Sequence, residues 1–179
     1  DGIKDATPVP TSEIDTKDHV IIAGFGRVGR RIGEVLESQL IPYIALDLNG
    51  SRVARLNGKG FPVYFADARR KGMWQQMKLN SARSVLITTE DHDQTRQILQ
   101  TVRALSPDIP VIVRARDMSY VEELQSLGAT QAIPEMLEST LYLASHLLQR
   151  MDVKPEEAED IVDAFRRELL VEARAAEGS

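Results

Sequence analysis

Three glycines with the spacing GxGxxG lie near the start of the chain, at Gly24, Gly26 and Gly29. They follow a short β-branched run and open a stretch with helical periodicity, and this strand–turn–helix context makes the motif specific. The first glycine permits a tight turn, the second lets the backbone approach a pyrophosphate, and the third lets helix and strand pack closely. Free N–H groups at the helix start favour phosphate. The motif therefore predicts a nucleotide site, and the alternative is a glycine turn in a sheet that binds nothing.

Arginines stand in this turn and at the end of a later run. Arg27 lies in the turn, where Val28 continues the helix start, and Arg114 and Arg116 close the later run as Val-Arg-Ala-Arg-Asp. A guanidinium binds phosphate or carboxylate through paired hydrogen bonds. These side chains therefore suit an anionic ligand at the carboxyl edge of a sheet. The alternative is that each arginine pairs with a local acid such as Asp117 or Glu90.

A carboxylate follows at a position that suits the ribose hydroxyls. Asp47 ends the run YIALD, eighteen residues after Gly29, and Leu48 follows it. At this spacing a carboxylate accepts hydrogen bonds from the adenosine ribose, and it repels a 2′-phosphate. We therefore predict that Asp47 and Leu48 lie in the cofactor site, without a preference for NADP. The alternative is an aspartate that caps a helix or closes a turn.

Further candidate site residues follow the third and fourth β-branched runs. After the third run, the Asp67 carboxylate suits an adenine amino group and the small Ala68 leaves room for the base. After the fourth run, Thr88 and Glu90 lie across the topological switch point, where they suit the phosphates or the far half of a dinucleotide. The alternatives are that Asp67 only caps a helix and that the residues up to Asp91 cap the next one.

A sheet must position these residues. β-Branched runs alternate along the chain with stretches of helical period, which is typical of βαβ units and of a parallel sheet buried on both faces. We therefore predict an α/β fold, a Rossmann-like doubly wound six-stranded parallel sheet of order 3-2-1-4-5-6 with a C-terminal helical extension. The predicted strands are 19–24, 43–47, 62–66, 84–88, 110–115 and 130–133, and the predicted helices are 27–39, 50–59, 69–78, 91–105, 117–127 and 135–150.

Charge and composition narrow the function classes. The chain has 179 residues and a net charge of −5, and nucleic acid is not an expected partner because its phosphates need a basic face. Cysteine is absent and the three histidines are scattered, so no metal site is expected. No apolar run approaches the length of a membrane helix. We predict an arm at 1–18, a nucleotide-binding domain at 19–151 and a helical tail at 152–179.

A stripe of apolar residues near the end of the sheet domain predicts a coiled-coil-like seam. Its members recur at spacings of 4, 3, 4 and 3, and they are Leu137, Leu141, Ala144, Leu148 and Met151. We therefore expect a homodimer through this helix. The alternative is ordinary packing of the stripe on the sheet.

Motifs of several common enzyme classes are missing from the sequence. No tyrosine is followed four residues later by lysine, and neither GxSxG nor the Walker loop occurs. His92 lies near the predicted cleft edge, where a loop histidine is usually solvated. Because the nucleotide fold takes almost the whole chain, we predict a ligand sensor and no enzyme. The alternative is a fragment of an NAD-dependent oxidoreductase whose catalytic part lies elsewhere.

The motifs, taken in order, resemble those of a known family. They are HVIIAGFGRVGR, IPYIALD, VYFADARR, VIVRARD, LGATQAIPE and DAFRRE, within about residues 17–170. The chain resembles KTN/RCK (TrkA-N type) regulatory domains. It is most similar to the C-terminal cytoplasmic domain of glutathione-gated potassium-efflux antiporters and their chloroplast relatives.

The resemblance implies a ligand, a partner and a location. Such domains bind AMP or NAD(H), form homodimers and gate a transmembrane antiporter of the same longer chain that exchanges potassium for protons. The implied location is the cytoplasmic face of an integral membrane transporter. By resemblance, Arg27 and Arg116 face phosphate or glutathione, and the nucleotide lies on Gly24, Gly26, Gly29, Asp47, Asp67 and Ala68. The alternative is a free-standing gating subunit of a potassium uptake system.

The tail departs from the glutathione-gated pattern. Those members carry an asparagine shortly after the FRR of the tail helix, where this chain has Leu169. An apolar leucine cannot hydrogen-bond a peptide ligand, although the aromatic residue of the third strand is retained as Tyr64. We therefore predict gating that depends on nucleotide and does not require glutathione.

Overall fold

A parallel sheet forms the centre of the domain, in a computed structural model that describes residues 8–9 and 16–177, with side chains to residue 172. The strands are β1 (Val20–Ala23), β2 (Tyr43–Asp47), β3 (Val63–Phe65), β4 (Ser84–Ile87), β5 (Val111–Ala115) and β6 (Gln131–Pro134). Within the described residues they form one sheet in the order β3-β2-β1-β4-β5-β6. All neighbouring pairs are parallel. The predicted α/β fold and strand order are confirmed.

Helices connect the strands, because parallel strands need a crossover between them. The connecting helices are α1 (Arg27–Ser38), α2 (Gly50–Asn57), α3 (Lys71–Gln76), α4 (His92–Leu105) and α5 (Val121–Ser126). Helices α6 (Glu135–Arg150) and α7 (Pro155–Glu177) follow the last strand. Two short 3-10 turns cover Leu79–Ser81 and Met118–Tyr120. In the part of the chain that the structure describes, no helix is long and apolar enough to cross a membrane.

The strands are apolar because the sheet is covered on both faces. Strand β2 is buried along its whole length. Successive side chains of β1 point to opposite faces, so Ile21 packs in the core on one side and Ile22 in the core on the other. Burying a side chain of this size contributes about 1.5–3 kcal/mol.

The register brings the carboxyl ends of the three central strands together. Ala23 pairs with Leu46 of β2 and with Ile87 of β4. The N–H of Gly24 donates to the Leu46 carbonyl at 2.8 Å, and the N–H of Thr88 donates to the Ala23 carbonyl at 2.9 Å. The loops that follow β1, β2 and β4 therefore start at one level, where a ligand can contact all three.

Part of the predicted arm at 1–18 lies on the sheet. Pro8 forms a parallel bridge to Phe65 at the end of β3, and Val9 is buried against the core. The N–H of Asp18 donates to the Ser81 carbonyl at 2.9 Å. Residues 1–7 and 10–15 of this segment lie outside the described residues. The boundaries between arm, domain and tail stay a prediction.

The apolar stripe of α6 packs against α7 of the same chain. Leu137 and Leu141 are buried with Val162, and Leu148 packs on this cluster. The expected seam between two chains is corrected for these residues, because the spacing shows which residues share a helix face but not which helix covers it. Met151, the last member of the stripe, is exposed.

Helix α7 is held to α6 by apolar and ionic contacts. Leu169 is half-buried against the same cluster, so its side chain is used in packing within the chain. Arg166 donates through Nε and Nη2 to the two oxygens of Glu138, at 2.8 and 2.9 Å. The hydrogen bonds with Glu138 raise the pKa of Arg166 above its ordinary value.

Candidate functional site

A cavity of about 290 Å³ opens at the carboxyl ends of β1, β2 and β4. Most of the predicted site residues line it, namely Gly24, Gly26, Arg27, Val28, Asp47, Leu48, Ala68, Thr88 and Glu90. Three others lie outside that lining: Gly29 packs beneath the turn, Asp67 lies beside Ala68, and Arg116 lines an adjoining cavity. The structure thus brings together residues from four separate segments of the chain.

The glycine turn is locked to the end of β4. Gly24 has a φ of +96°, which side-chain-bearing residues rarely adopt. A Cβ on Gly29 would lie 2.2 Å from the Gly24 carbonyl oxygen, so the first turn of α1 packs directly on the end of β1. Thr88 Oγ1 donates to the same Gly24 carbonyl at 2.6 Å. Gly29 and Thr88 therefore shape the turn.

The start of α1 faces the cavity and has no side-chain cap for its backbone N–H donors. Gly26 precedes the helix, and among the described residues no side chain caps this end. The first turn also carries no acidic residue. Backbone N–H groups at a helix start lack partners within the helix and, with the helix dipole, attract anions. This end can hold a phosphate group.

Asp47 lies between the turn and the cavity. The carboxylate is 8% exposed and accepts from the Phe25 N–H at 2.8 Å and from the Asn49 N–H at 2.7 Å. Arg52 Nη1 donates to the same carboxylate at 2.9 Å. Asn49 caps α2, so Asp47 does not cap this helix, but its hydrogen bond with the Asn49 N–H closes the turn before the helix, as the alternative predicted. Asp47 fixes the glycine turn and lines the cavity.

Arg52 was not predicted from the sequence. It lies in the first turn of α2, lines the cavity, and its side chain is partly exposed. A Cβ added to Gly26 would lie 3.6 Å from Arg52 Nη1, which places the guanidinium beside the glycine turn. Its position in the sequence, five residues after Asp47, could have indicated this role. The first turn of a helix that begins just after β2 lies next to the end of that strand.

Asp67 is engaged by its own loop. Arg69 donates to it through Nε and Nη2, both at 2.8 Å, and through its backbone N–H at 3.0 Å. The hydrogen bonds from Arg69 hold the pKa of the Asp67 carboxyl below its ordinary value. Ala68 lines the cavity, and its carbonyl accepts from Trp74 Nε1 at 2.7 Å. Contact between Asp67 and an adenine amino group stays a prediction.

The loop after β4 divides its roles. Asp91 caps α4, because its side chain accepts from the Gln94 N–H at 2.7 Å. Asp91 also lines the cavity, as does Glu90, which is exposed. His92 is not a solvated loop residue as expected: it begins α4, stacks on Tyr120 with ring centroids 3.7 Å apart, and shares a hydrogen bond of 2.7 Å with Glu123.

A second cavity of about 250 Å³ adjoins the first and is rich in arginine. Its lining comprises Arg27, Thr89, Glu90, Arg114 and Arg116, of which all but Arg116 also line the first cavity. Arg114 pairs with Glu135 rather than with Asp117. In the part of the chain that the structure describes, Arg27 and Arg116 have no ion pair. The second cavity therefore suits the anionic part of a ligand.

No metal centre is found at this edge. Within the described residues, no three histidine, aspartate or glutamate side chains come together as metal ligands would. The hydrogen-bond donors that face the two cavities include backbone N–H groups and guanidinium groups, which bind anions.

Two relatives and one solved structure are similar to this chain over most of its length. The K(+) efflux antiporter KefB of Alkalimonas amylolytica is 39% identical over 150 residues, which are 84% of this chain and 23% of KefB. The glutathione-regulated potassium-efflux protein KefC of Escherichia coli is 32% identical over 157 residues, 87% of this chain and 25% of KefC. The GsuK channel bound to NAD aligns with a TM-score of 0.68 and 25% identity, over 75% of this chain and 25% of that chain.

The chain thus spans about a quarter of the length of these curated relatives. The sequence profile of the TrkA-N domain matches residues 20–135, which contain the sheet, the glycine turn and both cavities. The match covers more than half of the chain, and it agrees with the resemblance that the ordered motifs indicate. On the sequence match and on the fold, the chain belongs to the TrkA-N domain family.

Proposed function

We propose that this domain binds an adenine nucleotide, AMP or NAD(H), in the cavity after β1, β2 and β4. One observation carries the proposal: the uncapped start of α1 and the buried carboxylate of Asp47 face the same cavity of about 290 Å³. A phosphate donor site and a ribose acceptor on one cavity are what an adenine nucleotide requires. The similarity to the NAD-bound GsuK channel supports the same ligand class.

Each part of the nucleotide has a proposed position. The ribose hydroxyls donate to Asp47 near Leu48, and the phosphate accepts from the backbone between Gly26 and Val28. The adenine base lies against Ala68. The Asp67 carboxylate can accept a hydrogen bond from the adenine amino group in place of one of its hydrogen bonds with Arg69.

The second cavity gives the ligand room to extend. AMP places its phosphate between the two cavities, near Arg27, whereas NAD(H) continues past Glu90 toward Arg114 and Arg116. Arg27 stands where the two ligands begin to differ. Because an arginine binds phosphate through paired hydrogen bonds, these arginines favour the phosphate groups of AMP and of NAD(H) alike.

We propose that the domain regulates a potassium/proton antiporter of which it forms the cytoplasmic part. The relatives KefB and KefC are about four times longer than the matched segment and bear the names of potassium efflux proteins. A nucleotide biases such a transporter only through different affinities for its open and closed states. Glutathione is not required in this proposal, because Leu169 is half-buried against α6 and offers no hydrogen bond.

We propose a homodimer through the outer face of α6. Three large apolar side chains there are mostly exposed: Leu143 at 70%, Leu147 at 65% and Met151 at 70%. A contiguous apolar patch on the surface indicates a contact with another protein. These residues replace the buried stripe as the proposed contact between two chains.

We propose a sensing role rather than catalysis. The histidine nearest the cavity, His92, is held by Tyr120 and Glu123. An assay with NADH and a panel of carbonyl substrates separates the two roles. A substrate-dependent fall in NADH absorbance would support the rival oxidoreductase reading.

Thermal denaturation with a panel of nucleotides tests the binding proposal. The panel is AMP, ADP, ATP, NAD, NADH and NADP. A ligand at 100 times its Kd adds about 2.7 kcal/mol to the free energy of unfolding. We expect AMP or NAD(H) to raise the Tm, and Asp47→Ala to abolish that shift. No shift with any of them at millimolar concentration would refute the proposal.

Transport by the longer protein tests regulation. Potassium/proton exchange in proteoliposomes should respond to AMP or NAD(H) and not need glutathione. Loss of exchange without glutathione would refute the nucleotide-only form of the proposal.

A further inference from the structure

Part of the predicted arm lies at the edge of the sheet beside the first cavity. Strand β3 is the outermost strand on this side of the described sheet, and such a strand offers a row of backbone N–H and C=O groups to an added segment. Pro8 forms a parallel bridge to Phe65, the last residue of β3. Phe65 pairs in turn with Asp47, which lines the cavity. One row of paired residues therefore runs from the arm to the candidate site.

Val9 buries its side chain in the core that supports the cavity. It is 8% exposed and belongs to the larger apolar cluster of the domain. Four members of this cluster also line the cavity, and they are Leu46, Ala66, Ala68 and Ile98. Because protein interiors are close-packed, a side chain in this cluster affects the position of the cavity wall without contacting a ligand.

The loop between β3 and α3 is the part of the wall nearest to the arm. The Ala66 N–H donates to the Asp47 carbonyl at 3.2 Å, and the Ala68 carbonyl accepts from Trp74 Nε1 at 2.7 Å. Both alanines are 6% exposed. Their position therefore depends on these hydrogen bonds and on packing in the cluster to which Val9 belongs.

The bridge at Pro8 and the burial of Val9 form a contact that we call the arm seat. Val9 is the one buried residue among the described residues of the arm. Burial of a single valine stabilises the seat by about as much as the ordering of one or two residues costs in conformational entropy. The seated and unseated states are therefore close in free energy, and a ligand that prefers one of them changes their populations.

We propose that the arm seat and nucleotide binding are coupled, with Val9 as a positioning residue for the cavity. A nucleotide that contacts Ala68 needs the loop after β3 in place, and the seated Val9 keeps it there. Such coupling is reciprocal, so the seat strengthens nucleotide binding by the factor by which the nucleotide favours the seat. Because the arm leads into β1, a bound nucleotide also fixes the chain that enters the sheet. This inference rests on the proposed binding of an adenine nucleotide.

Titration calorimetry with AMP and NADH tests the coupling from the side of the ligand. Val9→Asp places a charge in the apolar cluster and so unseats the arm. It should weaken binding of whichever nucleotide the unmutated domain binds by at least about fivefold. Val9→Ala should weaken binding in the same direction by a smaller factor. Val121→Ala is the matched control and should bind as the unmutated domain does, because Val121 is 6% exposed in the same cluster but lies on α5, away from β3.

Amide hydrogen exchange of the unmutated domain tests the coupling from the side of the arm and needs no variant. The backbone amide of Val9, resolved by NMR, should exchange at least about fivefold more slowly with saturating nucleotide than without it. The Gly128 amide is the control, because it donates to the Gln125 carbonyl at 3.0 Å in the turn after α5. Its exchange rate should not change.

The outcomes separate this inference from the proposed function. If the unmutated domain binds a nucleotide and the Val9 variants bind it equally well, the coupling is refuted and nucleotide binding stands. An equal loss of affinity in Val121→Ala and Val9→Ala also refutes it, because the effect then comes from the core as a whole. Unchanged exchange of the Val9 amide on nucleotide binding refutes it as well. If the unmutated domain binds neither AMP nor NADH, the proposed function fails, and this inference fails with it.

Discussion

Single residues at the carboxyl edge serve the fold and the candidate site together. Asp47 holds the Phe25 N–H, and Gly29 makes room for the Gly24 carbonyl. Substituting Gly29 forces the turn to shift, and substituting Asp47 removes an acceptor of the turn as well as a group that lines the cavity. Gly26 differs, because an added Cβ would meet Arg52 at 3.6 Å, which is an ordinary contact. It is therefore a position where binding can be changed without changing the fold.

Gly29→Ala should destabilise the domain by about 3 kcal/mol, since overpacking against fixed backbone is costly. The Cβ would lie 2.2 Å from the Gly24 carbonyl oxygen. Gly72→Ala is the control, because no atom lies within 4 Å of its added Cβ, and it should be neutral or stabilising by about 0.5 kcal/mol. Urea unfolding measures both. Equal stability of the two variants would contradict the packing described.

His19 makes the stability of the domain depend on pH. It is buried before β1, with Nε2 2.8 Å from the Met77 carbonyl and Nδ1 without a partner in the described residues. Burial lowers the pKa of His19 below its ordinary 6.5, an effect that the nearby charge of Lys78 reinforces and that the Met77 hydrogen bond and Asp18 oppose. The folded state therefore prefers the neutral ring.

The free energy of unfolding should fall as the pH drops below about 6.5, because the unfolded chain then binds the proton more readily. His19→Gln, which keeps an N–H donor for Met77, should flatten this fall between about pH 6.5 and 5. His146→Gln replaces an exposed histidine and should leave the slope unchanged. Chemical denaturation over this pH range measures the slopes. Identical slopes for the His19 variant and the unmutated domain would contradict this account.

At the scale of helices and strands, the sequence predicts those element bounds that apolar periodicity and turn residues determine. Strand β2 and helix α6 have the bounds predicted, since an unbroken apolar run and a regular helical stripe leave little choice. Helix α5 begins at Val121 rather than at 117, because Asp117 caps a 3-10 turn that precedes it. Periodicity does not distinguish such a turn from a helix start. It also does not reveal the Asp47–Arg52 pair, which depends on a side-chain orientation.

Leu141→Ala should cost about 2–4 kcal/mol, since it opens a cavity between α6 and α7. Leu141 is 6% exposed, whereas Leu143 on the same helix is 70% exposed. Leu143→Ala should therefore change the free energy of unfolding by less than about 1 kcal/mol at a protein concentration that gives monomers. Denaturant unfolding compares the two. A larger loss for Leu143→Ala than for Leu141→Ala would contradict the packing of α6 against α7 described above.

At the scale of the whole molecule, helix α6 has one face that packs on α7 and one face that is exposed to solvent. The inner face of α6 is covered by α7, and the outer face carries Leu143, Leu147 and Met151 toward solvent. The candidate site lies at the carboxyl edge, where Glu135 at the start of α6 pairs with Arg114 of the second cavity. The proposed dimer contact is therefore joined to the site through one helix. A ligand that moves Arg114 would act on α6 directly.

Leu143→Glu with Leu147→Glu should convert the proposed dimer to monomers, because burying unpaired charges is costly. Val35→Glu with Leu40→Glu is the control, since it adds the same charge at apolar side chains that are 61% and 92% exposed elsewhere. Light scattering at tens of micromolar measures the mass. A monomeric mass for the unmutated domain, or a dimer that survives the α6 substitutions, would refute the proposed contact.

Calorimetric titration of AMP into three proteins tests the nucleotide site most directly: the unmutated domain, Gly26→Ala and Gly72→Ala. The methyl group at Gly26 fits the unliganded fold, but it occupies the path by which phosphate approaches the backbone. We predict that Gly26→Ala weakens binding at least about tenfold, about 1.4 kcal/mol, with little change in Tm, and that Gly72→Ala binds as the unmutated domain does. Equal affinity of all three proteins for AMP would contradict a phosphate site at this turn.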